Sequence, residues 1–159
     1  DDFADAFRIA RNAGLSGVPH AGELMGADSV RRCLEVLDAA RIGHGVRAIE
    51  NPALVERIAR EGIVLECCPV SNVVLKVFPD YASHPFRALD KAGCRVTLNS
   101  DDPPHFHTSL AREYAVAEQH WDYGEADLLR FTRTAIESAF IDGEMRARLL
   151  EKCMPGGIG

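Results

Sequence analysis

Apolar positions recur along the chain at helical and at strand spacing in turn, which predicts an alternation of helices and strands joined by short connections. Residues 3–12 place Phe3, Phe7 and Ala10 on one helical face, and Gly14 stands where a helix stop belongs. Leu15 to Pro19 reads as a short strand running into His20-Ala21-Gly22-Glu23. Asp28 or Ser29 is placed to cap a helix whose stripe is Val30, Cys33, Leu34 and Leu37. Arg41 to His44 has room only for the end of a strand. Asn51-Pro52 opens a further helix, with Leu54, Val55 and Ile58 on its buried face, and Glu61-Gly62 closes it. Ile63 to Cys68 is apolar throughout except for Glu66, as expected of a strand covered on both faces. Phe86 to Ala92 predicts a helix ending at Gly93, and Arg95 to Asn99 a fourth strand. Beyond His107 the pattern is helical over 111–120, 125–140 and 144–153, and the Pro155-Gly156-Gly157 tail reads as disordered.

With 47% apolar and 26% charged residues, the 159-residue chain has the composition of one globular α/β domain. The formal net charge of -6, with no clustered basic face, argues against a nucleic-acid partner, since phosphate binding needs such a face. It leaves room for a small neutral ligand. Five cysteines without metal-ribbon spacing point to free thiols and a cytoplasmic setting. No apolar run approaches the roughly 20 residues of a membrane span, and no leader pattern opens the chain, so no membrane partner is expected.

The reactive side chains fall at particular places. His20 with Glu23, His44, and Asp101 with Asp102 each stand where a predicted strand ends and a helix-bearing loop begins. In a (β/α) barrel those ends converge on one face, where the active site is built. Adjacent carboxylates at Asp101 and Asp102 would repel in an apolar pocket, and a divalent cation on one of them removes the conflict. Cys67 and Cys68 read as core strand residues rather than ligands. Ser71 and Asn72 fit a pocket lining and ordinary loop polarity equally well. His105-Phe106-His107 has the spacing of a metal-binding pair, but after Pro103-Pro104 it reads as a loop leading into a helix cap. His84 and His120 read as structural. No Gly-x-Ser-x-Gly elbow or phosphate-binding glycine loop is present.

His20-Ala21-Gly22-Glu23, Arg41-Ile42-Gly43-His44-Gly45 and Leu98-Asn99-Ser100-Asp101-Asp102-Pro103, with Cys68-Pro69-Val70-Ser71-Asn72 between the last two, resemble in order and spacing the motifs of the adenosine deaminase family. The resemblance covers essentially the whole chain. It implies the C-terminal half of a TIM-type (β/α)8 barrel, strands five to eight plus closing helices, as one partial domain over 1–159. The N-terminal half is expected to lie upstream of Asp1, with a His-x-His metal pair on its first strand. The resemblance further implies one zinc ion per subunit, with His20 and Asp101 as ligands. By the same carry-over Glu23 is the proton donor to purine N1, His44 orients a zinc-activated hydroxide, and Asp102 faces purine N7.

The expected reaction is hydrolytic deamination of a 6-aminopurine to the 6-oxo purine and ammonia. Residues 68–76 and Asn99-Ser100-Asp101-Asp102 resemble adenine-acting members too. The lack of a glycine-rich run in 104–113 tilts the expectation toward adenosine, with adenine or an adenosine derivative as the alternative. A non-catalytic, purine-binding half-barrel is the competing reading. Four barrel strands on their own leave two open edges, so the isolated polypeptide is expected to be insoluble or oligomeric and inactive. The oligomeric state of the parent protein is not legible.

Overall fold

In a computed structural model that describes residues 2–153, four parallel strands form one sheet in sequential order: β1 (His20–Ala21), β2 (Arg41–His44), β3 (Val64–Cys67) and β4 (Arg95–Leu98). Parallel neighbours need crossovers, and helices supply them. α2 (Ala27–Val36) joins β1 to β2, and α3 (Pro52–Glu61), after a 3₁₀ turn at Val46–Glu50, joins β2 to β3. α4 (Pro69–Val74) and α5 (Phe86–Lys91) lie between β3 and β4. α1 (Ala4–Asn12) precedes the sheet, while α6 (Pro103–Phe106), α7 (Leu110–Trp121), α8 (Glu125–Ser138) and α9 (Gly143–Lys152) follow it. Successive parallel strands, each returned by a helix, are the staves of a barrel wall. The Pro155-Gly156-Gly157 tail lies outside the described residues.

The two-residue period of the strands separates core from site. Ile42, Leu65 and Val96 occupy matching positions in β2, β3 and β4 and are fully buried. Leu54, Val55 and Ile58 of α3 belong to the same apolar cluster. The opposite face carries the cross-sheet row His20, Gly43, Glu66 and Thr97, set by the pairing register. That row is polar apart from its glycine.

Local chemistry fixes most element ends. The Asn51 side chain accepts from Leu54 N–H at the start of α3, Pro52 occupies its first turn, and Gly62 closes it at φ +68°. Four expectations need correction. Leu15–Pro19 is not a strand. Gly17 accepts from Ala40 N–H and Pro19 from Gly43 N–H, but Pro19 has no N–H to return, and β pairing begins at His20. α2 is capped by neither Asp28 nor Ser29. It starts after Gly26, with the Glu50 carboxylate accepting from Ala27 N–H. The Ser29 hydroxyl instead accepts from Gly22 N–H and donates to Gly26 O. α8 stops at Ser138, and Phe140 lies beyond it with its ring centroid 4.1 Å from the Arg41 guanidinium carbon. Finally, Pro103–Phe106 is a helical turn, capped by Asp102, rather than loop.

An aromatic cluster locks α5, α7 and α8 together beside the sheet. Phe86 stacks on Trp121 at 5.0 Å between centroids and meets Phe131 edge-on at 5.1 Å, while Trp121 Nε1–H donates to Tyr81 O. α1 contributes little to this core: Phe3 is 68% exposed and none of its residues is buried. Truncating Phe86 removes the ring that all three helices share. Phe86→Ala is expected to lower stability by about 3–5 kcal/mol in denaturant titration, and a loss below about 1 kcal/mol would show that this cluster is not what holds the helices.

Candidate active site

Because the strands are parallel, their C-terminal ends share one rim, and a cavity of about 440 Å³ opens there. Its lining includes His20, His44, Glu66, Cys68, Asn99 and Asp101. The cross-sheet row thus leads directly into the cavity. Gly43 sits in that row because the His20 ring lies across it. A Cβ at Gly43 would stand 2.5 Å from His20 Cδ2, closer than any side chain tolerates.

His44 ends β2 in register with Ala21, a parity that assigns its side chain to the core face. Its backbone takes φ +61°, in the left-handed region, which breaks the alternation and lets the imidazole line the cavity. Asp101, after β4, does the same at φ +56°. Such conformations cost about 1–3 kcal/mol in non-glycine residues and persist where the surroundings over-determine them.

The polar groups converge on the His44 ring, which is 1% exposed. Its Nε2 lies 3.6 Å from Glu23 Oε2 and 3.8 Å from Asp101 Oδ2, and the His20 ring stands edge-on to it at 4.9 Å. Burial holds the His44 pKa below its ordinary 6.5, although the Glu23 carboxylate pulls the other way. Ser71 Oγ–H donates to Asp101 Oδ2 at 2.6 Å.

Among the described residues, two groups of donor atoms lie close enough to hold a metal ion: His20, Glu23 and His44, and His44, Cys68 and Asp101, each within 4.8 Å. The expected ligands His20 and Asp101 each share a group with His44 but not with each other. Imidazole and carboxylate are donors that zinc accepts. Cys67 and Cys68 are buried, as expected, and burial pushes both thiols up, so neither is a ready thiolate. All five cysteines are free.

Asp102 stands apart from this convergence. It is exposed, is not among the lining residues, and its Oδ1 accepts from His105 N–H at 3.4 Å as the α6 cap. His105 and His107 belong to neither donor group. His105 packs edge-on against Phe106, and His107 ends α6 at φ +50°.

Beneath the cavity lies a layer that the residue pattern alone did not assign. α4 is stapled by Glu113, a fully buried carboxyl that accepts from Val70 N–H at 3.1 Å and from Thr108 Oγ1–H at 2.7 Å. Burial raises the Glu113 pKa. So held, α4 brings Ser71 against Asp101, and its fully buried Asn72 against both His44 Nδ1, at 3.2 Å, and His84 Nε2, at 3.0 Å. Pro69 at the start of α4, with Ser71 and Asn72 in its first turn, was the available signal for a helix here.

A family model described as adenosine deaminase matches residues 1–155. Adenine deaminases of Chelativorans sp. and Mesorhizobium japonicum are 64% and 59% identical over 97% and 96% of this chain, which covers 47% of each. The crystal structure of adenine deaminase from Arthrobacter aurescens superposes with a TM-score of 0.92 at 30% identity, over 95% of this chain and 46% of that one. An amidohydrolase from Burkholderia ambifaria with bound Zn gives 0.88 at 30% identity, over 98% and 44%. The chain thus spans about half the length of the relatives it matches, and its sheet is the corresponding half of their barrel.

One buried group beneath the site has a consequence for stability. Burial pushes the His84 pKa down from 6.5 to about 3. Between those values the unfolded chain binds a proton that the folded chain refuses, so stability falls as pH falls from 6.5 toward 3, by about 4–5 kcal/mol across the window. Urea unfolding at pH 7 and pH 4 is expected to show a smaller drop for His84→Gln than for the wild type, and equal drops would contradict a neutral buried His84.

Proposed function

The chain belongs to the adenosine deaminase family, and from that premise we propose that it supplies the catalytic rim of an enzyme that hydrolytically deaminates adenine. The observation that carries the reading is the convergence of His20, His44 and Asp101 on one cavity at the strand ends, with Glu23 Oε2 3.6 Å from His44 Nε2. The choice of adenine is supported by relatives of that name at 54–64% identity. It replaces the expectation of adenosine drawn from residues 104–113. That segment holds the α6 turn and the start of α7, where Asp102 and Ser109 cap helix ends. Its lack of glycine answers to that local structure and says nothing of a ribose.

His20 and Asp101 are the proposed metal ligands, completed by the His-x-His pair that the family resemblance places outside this chain. When bound, zinc supplies a water whose pKa falls to about 7, so that a nucleophile is available at neutral pH. Attack at C6 breaks ring aromaticity, and the barrier falls if ring N1 gains a proton as the bond forms. Glu23 is the proposed donor of that proton. Its Oε2 faces His44 Nε2 inside the site, and its carboxyl must be protonated to act. His44 orients the attacking oxygen. Ser71 steadies Asp101, since its hydroxyl occupies one lone pair of Oδ2. Asp102, one residue past the lining, is the residue proposed to face ring N7, reached from its position at the head of α6.

The test is an ultraviolet assay of the intact protein with adenine and with adenosine, together with metal analysis. Adenine is expected to be the better substrate, and turnover is expected to vanish on chelation and return with zinc. Turnover of adenosine with adenine untouched would restore the adenosine reading, and turnover of neither by the metal-loaded protein would sink both. Glu23→Gln is expected to lower kcat by about 10²–10⁴-fold. Near-normal turnover in that variant would remove Glu23 from its assigned role.

A further inference from the structure

Phe86 N–H opens α5 and has no acceptor within its own helix, a position where side chains often step in. Here it donates to Nδ1 of the buried His84 at 3.2 Å. A backbone amide can only donate, so it fixes His84 Nδ1 as the lone-pair nitrogen. The proton of a neutral His84 must then sit on Nε2. That nitrogen meets Asn72 Oδ1 at 3.0 Å, which sets the orientation of the Asn72 amide. The Asn72 NH₂ group therefore faces His44 Nδ1 at 3.2 Å and can only donate to it.

From this chain of contacts we propose that Asn72 and His84 are positioning residues that hold His44 as its Nε2–H tautomer, with the polarity imposed by the backbone N–H of Phe86. The alternative tautomer would set an Nδ1–H against the Asn72 NH₂, two donors face to face where Asn72 and His44 are both buried. His84 is well placed to keep its part. Phe78 stands edge-on to its ring at 5.2 Å and Trp121 lies tilted against it at 5.5 Å, and burial in this setting keeps the ring neutral. At the far end of the relay, His44 presents its N–H to the cavity, where Nε2 lies within 4 Å of both Glu23 and Asp101. His44 thus meets the attacking oxygen as a hydrogen-bond donor. The segment 69–86 governs the chemistry of a residue on β2 without touching substrate.

The functional part of this proposal rests on the deaminase reading, but its core can be measured without turnover. The intact, zinc-loaded protein is labelled with ¹⁵N in its histidine rings, and two-bond ¹H–¹⁵N correlations are recorded, with His44→Gln used to assign the His44 signals. In the wild type His44 is expected to show a pyridine-like Nδ1 and a pyrrole-like Nε2. Asn72→Asp keeps the shape but leaves only acceptors, so it should draw a proton onto His44 Nδ1. That variant is expected to lower kcat by about 10–100-fold, the usual range for a supporting partner, with KM for adenine changing less. A wild-type His44 protonated on Nδ1, or an Asn72→Asp protein with the wild-type pattern, overturns the proposal. If Asn72→Asp does not fold, the wild-type spectrum decides alone. An active deaminase with the opposite tautomer refutes the relay only, whereas the predicted tautomer in a protein that deaminates neither purine refutes the functional reading only.

Discussion

Parallel pairing is the constraint on which the rest of this structure depends. It obliges each strand to be returned by a crossover, so one face of the sheet is sealed by helices and carries Ile42, Leu65 and Val96. It also sends every strand out on the same rim, which is where His20, His44, Cys68 and Asp101 meet. A sheet of only two to four residues per strand leaves little freedom in this arrangement. A slip of one residue would exchange the row of His20, Gly43, Glu66 and Thr97 with the apolar row and bury the polar groups in the core.

The rim by itself would not hold side chains at working distance. The short helix after β3 does that, and it is too short to persist alone. Glu113 from α7 ties down its first turn, Ser71 reaches across to Asp101, and Asn72 joins β2 to the segment before α5. The Asn72 backbone oxygen also accepts from Val77 N–H and Phe78 N–H, fastening the connection that follows. Buried polar networks of this kind rigidify a site when every member is satisfied, and here each amide and imidazole atom of the relay has a partner or faces the cavity.

The sequence made the alternation of elements legible because helix stripes such as Leu54, Val55 and Ile58 and caps such as Asn51 act locally. It made His20, Glu23, His44 and Asp101 legible because they stand at strand ends in a recognisable order. The Asn72–His84 relay was not readable, since its partners are 12 and 28 residues apart and their pairing follows from tertiary packing. Leu15–Pro19 has a strand's apolar character, but its Leu15 N–H turns back to Ala10 O and Pro19 has none to give, so no ladder forms before His20. The cap of α2 is not local either: Glu50 arrives from 23 residues away. The tilt toward adenosine drew on residues 104–113, a stretch shaped by helix capping, which carries no information on a binding determinant.

The two left-handed residues of the site, His44 and Asp101, carry a further consequence. At either position glycine or asparagine would relax the backbone, a local gain set against loss of the contacts that join His44 to Asn72 and Asp101 to Ser71. The strain stored at these two positions is therefore offset by the same polar contacts that aim their side chains into the cavity.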